Sequence, residues 1–376
     1  MKIVATGCRG FPGVQGGVEK HCEKLYTHLA QFGCEIIVFT RKPYVDAGVH
    51  TYKSVTLVPV SCPRNKYFEA TIHTFVSILK AKRLKPDILH IHAIGPSMFA
   101  FLARAMGMKV LVTNHGADYK RKKWPLPAKM FLQFCEMIGV KFAHGVIAIS
   151  DNIADDLRQK YHINAAVIPN GVEIPEPVET DEILEKYGLI KKRYILSVGR
   201  LVPEKGFDYL IGAFNALKDT SHKLRGENWK LAIVGSSDHE DRYSLSLKEE
   251  AEKSSNVIFT GFLTGQSLSE IYSHAGLFVL PSYHEGLPIS LLEAMSYGIS
   301  CIASDIPANQ SIELSKGRFF KAGDTGSLVE KISEILNMDW TDEDRKKQIK
   351  FISEKYNWDK IAKETLTYCK KVVAGV

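Results

Sequence analysis

Several things are missing from this 376-residue sequence, and each absence removes a class of protein. No apolar run approaches the roughly 18 residues that a bilayer-crossing helix needs, so no transmembrane segment is expected. The opening residues MKIVATGCRGFPG lack the apolar core of a secretion signal and read as a strand running into a glycine-rich turn. The seven cysteines are scattered, and none forms a CxxC pair. They offer no thiolate metal-site spacing and point to reduced thiols in a cytoplasmic setting. Short-period repeats and low-complexity tracts are absent. The glycine-rich stretch from Gly7 to Gly17 is not a GxGxxG, and the second strand-like run ends in Thr40-Arg41 without the acidic residue a dinucleotide site wants. NAD is therefore not an expected ligand. No nucleic-acid-binding module accompanies the basic residues, so nucleic acid is not an expected partner.

The length is too great for one comfortable core, and two domains are the default. Charge separates along the chain. Residues 1–172 hold 23 Lys and Arg against 11 Asp and Glu, whereas residues 173–376 hold 26 against 31. The basic first half faces something anionic or simply carries a solvated basic surface. Apolar runs suited to buried strands fall at Lys2–Thr6, Glu35–Thr40, Ile88–His92, Val110–Asn114 and Gly145–Ile149. Helical patterns lie between them, for example Val18–Phe32, with Gly33 as its stop. Such alternation predicts a parallel, doubly wound sheet. The run Ala166–Val172 closes this half, and Glu173 to Thr180 has linker composition. A second series follows, with strands at Tyr194–Val198, Trp229–Val234, Val257–Thr260, Leu277–Leu280 and Ser300–Ala303. The expected fold class is α/β, with two tandem Rossmann-like domains. In open sheets of this kind ligands bind beyond the carboxyl ends of the strands, which predicts a cleft site between the domains.

The most specific pattern is Pro281-Ser282-Tyr283-His284-Glu285-Gly286-Leu287-Pro288-Ile289, continuing to Glu293-Ala294-Met295. It spans an expected strand-to-helix junction. Glu285 would stand at the mouth of the helix and Glu293 two turns inside it, roughly 12 Å apart along the axis. That span suits a ligand with a hydroxyl-rich group at each end and a phosphate between them, as in a sugar nucleotide. Backbone N–H groups of Gly286 and Leu287 would meet the negative charge. A second pattern, Gly199-Arg200-Leu201-Val202-Pro203-Glu204-Lys205-Gly206, places two cations five residues apart on a loop that opens a helix. A planar fork and a point charge suit the two phosphates of a nucleoside diphosphate, the bland alternative being a surface ion pair with Glu204.

These motifs resemble the retaining GT-B glycosyltransferases of family 4, and the resemblance runs in family order over nearly the whole chain. It implies a GT-B architecture with an acceptor domain over residues 1–172, a donor domain over 173–354, and a segment 355–376 that crosses back to the first domain as a helix beginning near Tyr356–Lys360. It further implies that Glu285 binds the donor sugar, Glu293 the ribose, and Arg200 and Lys205 the pyrophosphate. Gly16 and Gly17 match the family diglycine that contacts the donor phosphate, and His115 the histidine set against the donor sugar. Gly199, Gly261, Phe262, Leu263, Gly286, Leu287, Pro288 and Ile289 complete the donor set. The commoner family form EGFG is here EGLP, and Pro288 removes one N–H donor.

The segment HGADYKRKKW resembles a subgroup of bacterial transferases that build surface polysaccharides on lipid carriers. There Asp118, Lys120 and Arg121 are the acceptor candidates. The basic run Lys120–Lys123 with Trp124 precedes Met130, Phe131, Phe134, Cys135 and Ile138 at helical spacing. That combination suits an anionic membrane surface, although the apolar stripe reads first as core. Asp342-Glu343-Asp344 fits a metal-binding DxD, but Thr341 before it and a basic helix after it make it a helix start. Ser150-Asp151-Asn152 reads the same way. No metal or other cofactor is expected. The expected enzyme is a retaining hexosyl- or deoxyhexosyltransferase that uses a nucleotide diphosphate sugar and a glycan or lipid-linked acceptor. A nucleotide-sugar 2-epimerase of the same fold and a non-catalytic nucleotide-sugar binding protein are the alternatives.

Overall fold

The computed structural model describes residues 1–46, 48–63, 68–117, 119, 125–220, 228–237 and 241–375. The chain forms two compact units, Met1–Gly171 with Trp358–Val376 and Val172–Asn357. The helix Trp358–Ala374 thus belongs to the first unit, where it packs against the helix α1 (Gly17–Gln31).

In the first unit the strands are β1 (Lys2–Thr6), β2 (Glu35–Arg41), β3 (Thr51–Tyr52), β4 (Val55–Val60), β5 (Ile88–His92), β6 (Val110–Asn114), β7 (Gly145–Ala148) and β8 (Ala166–Val167). They lie in the order β3-β4-β2-β1-β5-β6-β7-β8, parallel except for the antiparallel β3. β1, β5, β6 and β7 are buried nearly throughout, as strands covered on both faces must be. β4 escapes the apolar-run reading because it alternates and contains Pro59. The proline is tolerated because β3 pairs only with Val55 and Thr56, leaving the rest of β4 on the edge.

α1 buries Cys22, Leu25, Tyr26 and Leu29 at helical spacing. It stops at Gly33, whose φ of +80° permits the backbone bonds Gly33 N–H to Ala30 O and Cys34 N–H to Leu29 O. The helices α2 (Glu69–Leu84), α3 (Ile94–Ser97), α4 (Ala100–Ala105), α5 (Leu126–Phe142) and α6 (Asp151–Tyr161) complete the crossovers. α5 departs from expectation. Cys135 is buried, but Met130, Phe131 and Phe134 are at least half exposed, so most of the stripe that reads as core faces outward.

The second unit carries β9 (Tyr194–Val198), β10 (Lys230–Val234), β11 (Val257–Gly261), β12 (Leu277–Leu280), β13 (Cys301–Ser304) and β14 (Phe319–Phe320), all parallel, in the order β11-β10-β9-β12-β13-β14. Asp342 opens the helix Asp342–Lys355, where Thr341 and Asp344 form a capping box. The linker-like stretch is anchored at its end. Buried Glu270 accepts hydrogen bonds from Thr180 Oγ1 at 2.7 Å and from the backbone N–H of Ile183 at 2.6 Å and of Leu184 at 3.4 Å. These are first-turn donors of the helix α7 (Glu182–Tyr187), so a remote carboxylate does the work of an N-cap. Glu270→Ala should cost about 2–3 kcal/mol by orphaning those donors, read as a lowered urea midpoint; an unchanged midpoint would remove Glu270 from this role.

Candidate active site

In the second unit the strand order reverses beside β9: its neighbour on one side is β10 and on the other β12. Loops leaving the carboxyl ends of β9 and β12 therefore diverge to opposite faces and open a crevice between them, the usual ligand position in a doubly wound sheet. Both sequence motifs fall on these two loops. Gly199 and Arg200 follow β9, and a short 3-10 turn, Pro203–Lys205, presents Lys205. Gly206 then turns with φ +66°, where a Cβ would come within 2.3 Å of the Pro281 carbonyl oxygen, so only glycine lets the two loops touch. The backbone N–H of Tyr283 donates to Glu204 O at 2.8 Å, and Tyr209 Oη donates to Pro281 O.

At the contact, Lys205 Nζ lies 2.6 Å from Glu285 Oε1, and Ser282 Oγ donates to the same oxygen at 2.5 Å. The two charged side chains are only 19% and 10% exposed. Burial pushes the Glu285 carboxyl up, but the Lys205 ammonium and the two hydrogen bonds outweigh it and hold the pKa below the usual carboxylate value. Lys205 thus pairs with Glu285 rather than forming part of a simple surface pair with Glu204, whose side chain is buried. An ammonium has three donors, and this pair uses one of them. Glu285 stands in the loop before the helix Ile289–Ser296, not on it. Pro288 precedes that helix and gives it no side-chain cap, so its first-turn N–H groups look into the same region as Gly286 and Leu287. Glu293 lies inside the helix, where Tyr272 Oη donates to its Oε2 at 3.1 Å and Tyr297 stacks on Tyr272. Gly261 ends β11, two strands from β9, and Phe262 and Leu263 follow it, with Phe262 exposed.

The first unit repeats the reversal beside β1, which lies between β2 and β5. The glycine loop after β1 is held by Arg9, whose Nε donates to Glu19 Oε1 at 3.0 Å and whose guanidinium also donates to Gln15 O. Gly16 precedes α1 and Gly17 begins it, again with no side-chain cap. At Gly7 a Cβ would sit 2.1 Å from the His92 carbonyl oxygen, so the loop can cross β5 only as glycine.

His115 follows β6, on a turn that sequence reasoning does not explain. Asn114 makes it: its Oδ1 accepts from Gly116 N–H at 2.8 Å, and its Nδ2 donates to buried Glu136 of α5 at 2.8 Å. Behind His115 runs a chain of polar groups that the motif reading also misses. Thr113 Oγ1 and His90 Nε2 are 2.7 Å apart, His90 Nδ1 and Tyr26 Oη 3.0 Å, Tyr26 Oη and His92 Nε2 2.5 Å, and His92 Nδ1 and His115 Nε2 3.0 Å. Every link can be satisfied with protons running either way, so the polarity of the chain sets which nitrogen of His115 carries its proton. The available signal was the pair His90 and His92 in a strand: period two puts both on one face. One ring nitrogen from each of His21, His92 and His115 lies within 4.8 Å of the other two. Imidazole is a common zinc ligand, and this is the one such set among the described residues. No spacing in the sequence announces it, because α1, β5 and the loop after β6 each supply one member. Asp118, Lys120 and Arg121 lie outside the described residues, as do Lys122, Lys123 and Trp124.

Burial holds these imidazoles neutral. Desolvation, with His21 adding repulsion at His90 and His90 adding it at His115, pushes His90 and His115 down to about 3, and it pushes His21 and His92 well below their ordinary value. In the unfolded chain they take protons near the ordinary 6.5, so from there down to about 3 the unfolded state binds more protons and stability falls with pH. Glu19 and Glu285, both depressed, lose their contribution only below the ordinary 4.5. The melting temperature should therefore drop already between pH 6.5 and 4.5, and a flat profile there would mean imidazoles that titrate normally. Tyr26→Phe should cost about 1–3 kcal/mol by leaving His90 Nδ1 and His92 Nε2 unpaired, checked by urea unfolding.

Comparison with known proteins agrees in both halves. The family model described as Glycosyl transferases group 1 matches residues 179–357, and the one described as Glycosyltransferase Family 4 matches residues 15–175. An uncharacterized glycosyltransferase of Methanocaldococcus jannaschii is 27% identical, with 98% of each chain covered. The UDP-Gal:alpha-D-GlcNAc-diphosphoundecaprenol alpha-1,3-galactosyltransferase of Escherichia coli is 24% identical over 78% of this chain and 76% of that one. The sucrose-phosphate synthase of Thermosynechococcus elongatus has the same fold, with a TM-score of 0.84, 21% identity and complete coverage of both chains.

Proposed function

The chain belongs to the group 1 glycosyltransferases, of GT-B fold, and from that premise we propose that it transfers a hexosyl or deoxyhexosyl unit, with retention, from a nucleotide diphosphate sugar to a hydroxyl of a lipid-linked glycan in bacterial polysaccharide assembly. The observation that carries the reading is the Lys205–Glu285 contact at the strand-order reversal. It joins the cation suited to a leaving diphosphate to the carboxylate suited to sugar hydroxyls. Support for a lipid diphosphate acceptor comes from the name of the Escherichia coli relative and from the basic first half of the chain. Work at the inner face of the cell membrane follows from such an acceptor. Among the described residues no helix is long and apolar enough to cross a membrane.

The hard step is departure of a nucleoside diphosphate from an anomeric carbon that becomes cationic. Arg200 and the remaining donors of Lys205 stabilise the charge that grows on the phosphate oxygens, and the first-turn N–H groups of the helix Ile289–Ser296 add to it. Glu285 accepts from sugar hydroxyls, and Glu293, with Tyr272 behind it, accepts from the ribose. Phe262 offers an exposed ring for the base. By the family resemblance, the Gly16–Gly17 turn is the first unit's candidate for donor phosphate and His115 its candidate for the donor sugar. The acceptor oxygen forms its bond on the face the diphosphate leaves, the anomeric C–O bond breaks, and the acceptor proton passes to the departing phosphate oxygen. The protein's own groups thus suffice, with no metal required.

The test begins with thermal melts in UDP, GDP, dTDP, ADP and NAD, because a ligand of the folded state raises the melting point by mass action. One nucleoside diphosphate should stabilise, less so in Glu293→Ala; stabilisation by NAD alone would defeat the reading. With the donor base known, Lys205→Ala should lower kcat/KM by about 100- to 1000-fold. NMR of the product should show the donor's anomeric configuration, and inversion would refute the same-face step. Conversion of the sugar nucleotide without any acceptor would assign an epimerase instead, and binding without turnover a non-catalytic protein.

A further inference from the structure

One face of the first unit is built in a way that the transfer chemistry does not call for. α2 presents an outward stripe whose exposed members, Ile72, Phe75 and Leu79, continue from Phe68 just before it. α5 presents another, with Leu126 at 70%, Met130 at 61%, and Phe131 and Phe134 at 50% exposed. Each set repeats at helical spacing, so each is a continuous strip rather than scattered apolar residues. The two strips belong to one surface. α2 packs on α3, and both α3 and α4 pack on α5. Phe75 meets the Phe99 ring at 6.0 Å, and exposed Phe101 of α4 meets Phe142 of α5 at 6.3 Å.

On the three helices, all of whose residues are described, the exposed charge has one sign. In α2, α4 and α5 the two acidic residues, Glu69 and Glu136, are buried. Glu69 pairs with Arg41 at 2.8 Å, and Glu136 accepts from Asn114, Tyr119 and Tyr161. The exposed charges are Lys80, Lys82, Arg83, Arg104 and Lys141, all cations. At about 100° per residue, Lys82 and Arg83 flank the α2 stripe at its end and Lys141 continues that of α5. Apolar strips with cations beside them and no exposed acid match the chemistry of an anionic bilayer: acyl chains for the side chains, headgroup phosphates for the ammonium and guanidinium groups. A protein partner of ordinary mixed charge would leave such a face its acids.

We infer that the α2–α4–α5 face of the first unit docks on a membrane carrying anionic lipid. α2 follows β4 and α5 follows β6, so both helices begin on the carboxyl side of the sheet, the side on which His115 stands. Docking through this face presents that side at the level of a lipid-borne acceptor. The inference stands on this surface alone, and its failure leaves the transfer reading untouched.

The test is flotation of the full chain with vesicles of phosphatidylcholine alone or mixed with phosphatidylglycerol. Binding is expected to the mixed vesicles, at least tenfold weaker to phosphatidylcholine alone, and weakened by added salt. The variant Arg83→Gln/Lys141→Gln should lose about fivefold for each cation. Met130→Gln/Phe131→Gln/Phe134→Gln should lose at least tenfold, and both variants should melt as the unaltered chain does, since every changed side chain is exposed. Failure to bind the mixed vesicles overturns the inference, as does equal binding to both vesicle types or binding indifferent to both variants. Sedimentation as a dimer that the apolar variant converts to monomer, without lipid binding, would reassign the face to a second copy of the chain.

Discussion

The loops that carry the chemistry obey one constraint in both units: parallel strands send all their carboxyl ends to one edge, and the strand order reverses beside the first strand of each sheet. A loop after β9 and a loop after β12 must then part to opposite faces, and what lies between them is open to a ligand. The same holds beside β1. Everything else at the site serves to keep those loops at fixed positions, through Gly206 against Pro281, Tyr283 against Glu204, and Lys205 against Glu285.

The Lys205–Glu285 pair shows why a buried charge pair belongs at a site rather than in a core. Two largely desolvated charges gain little net stability, since removal from water cancels much of their attraction. They do hold each other in place, and Ser282 fixes the carboxylate further. What results is a cation and an anion oriented before any ligand arrives, which is the condition for electrostatic help to a leaving group. At His115 the first unit solves the same positioning problem without charge. The imidazoles of His90, His92 and His115 are held neutral by burial and linked through Tyr26 into one hydrogen-bonded chain that ends on His115.

Much of the fold is legible in the sequence because strands buried on both faces must be continuously apolar. β1, β5, β6, β9 and β12 stand with the bounds their apolar runs indicate. The elements that escape are those at sheet edges: β4 alternates and carries Pro59, while β3, β8 and β14 are two residues each. The helix stop at Gly33 is legible for a local reason, since a left-handed residue after a helix selects glycine. α5 misleads because helical spacing reveals a stripe but not what covers it. Cys135 turns inward, whereas Met130, Phe131 and Phe134 of the same pattern turn out.

The sequence by itself determined the two-unit α/β architecture and the loops that carry Arg200, Lys205, Glu285 and Glu293, because strand burial, glycine turns and motif spacing are local. Only the tertiary structure decided that Lys205 meets Glu285 across 80 residues, and that His21, His92 and His115 converge from a helix, a strand and a loop. It alone decided, too, that Glu270 caps α7 from afar. Those contacts depend on which strands become neighbours, and adjacency in a doubly wound sheet is set by crossover connections between elements distant in the chain. No local pattern encodes that.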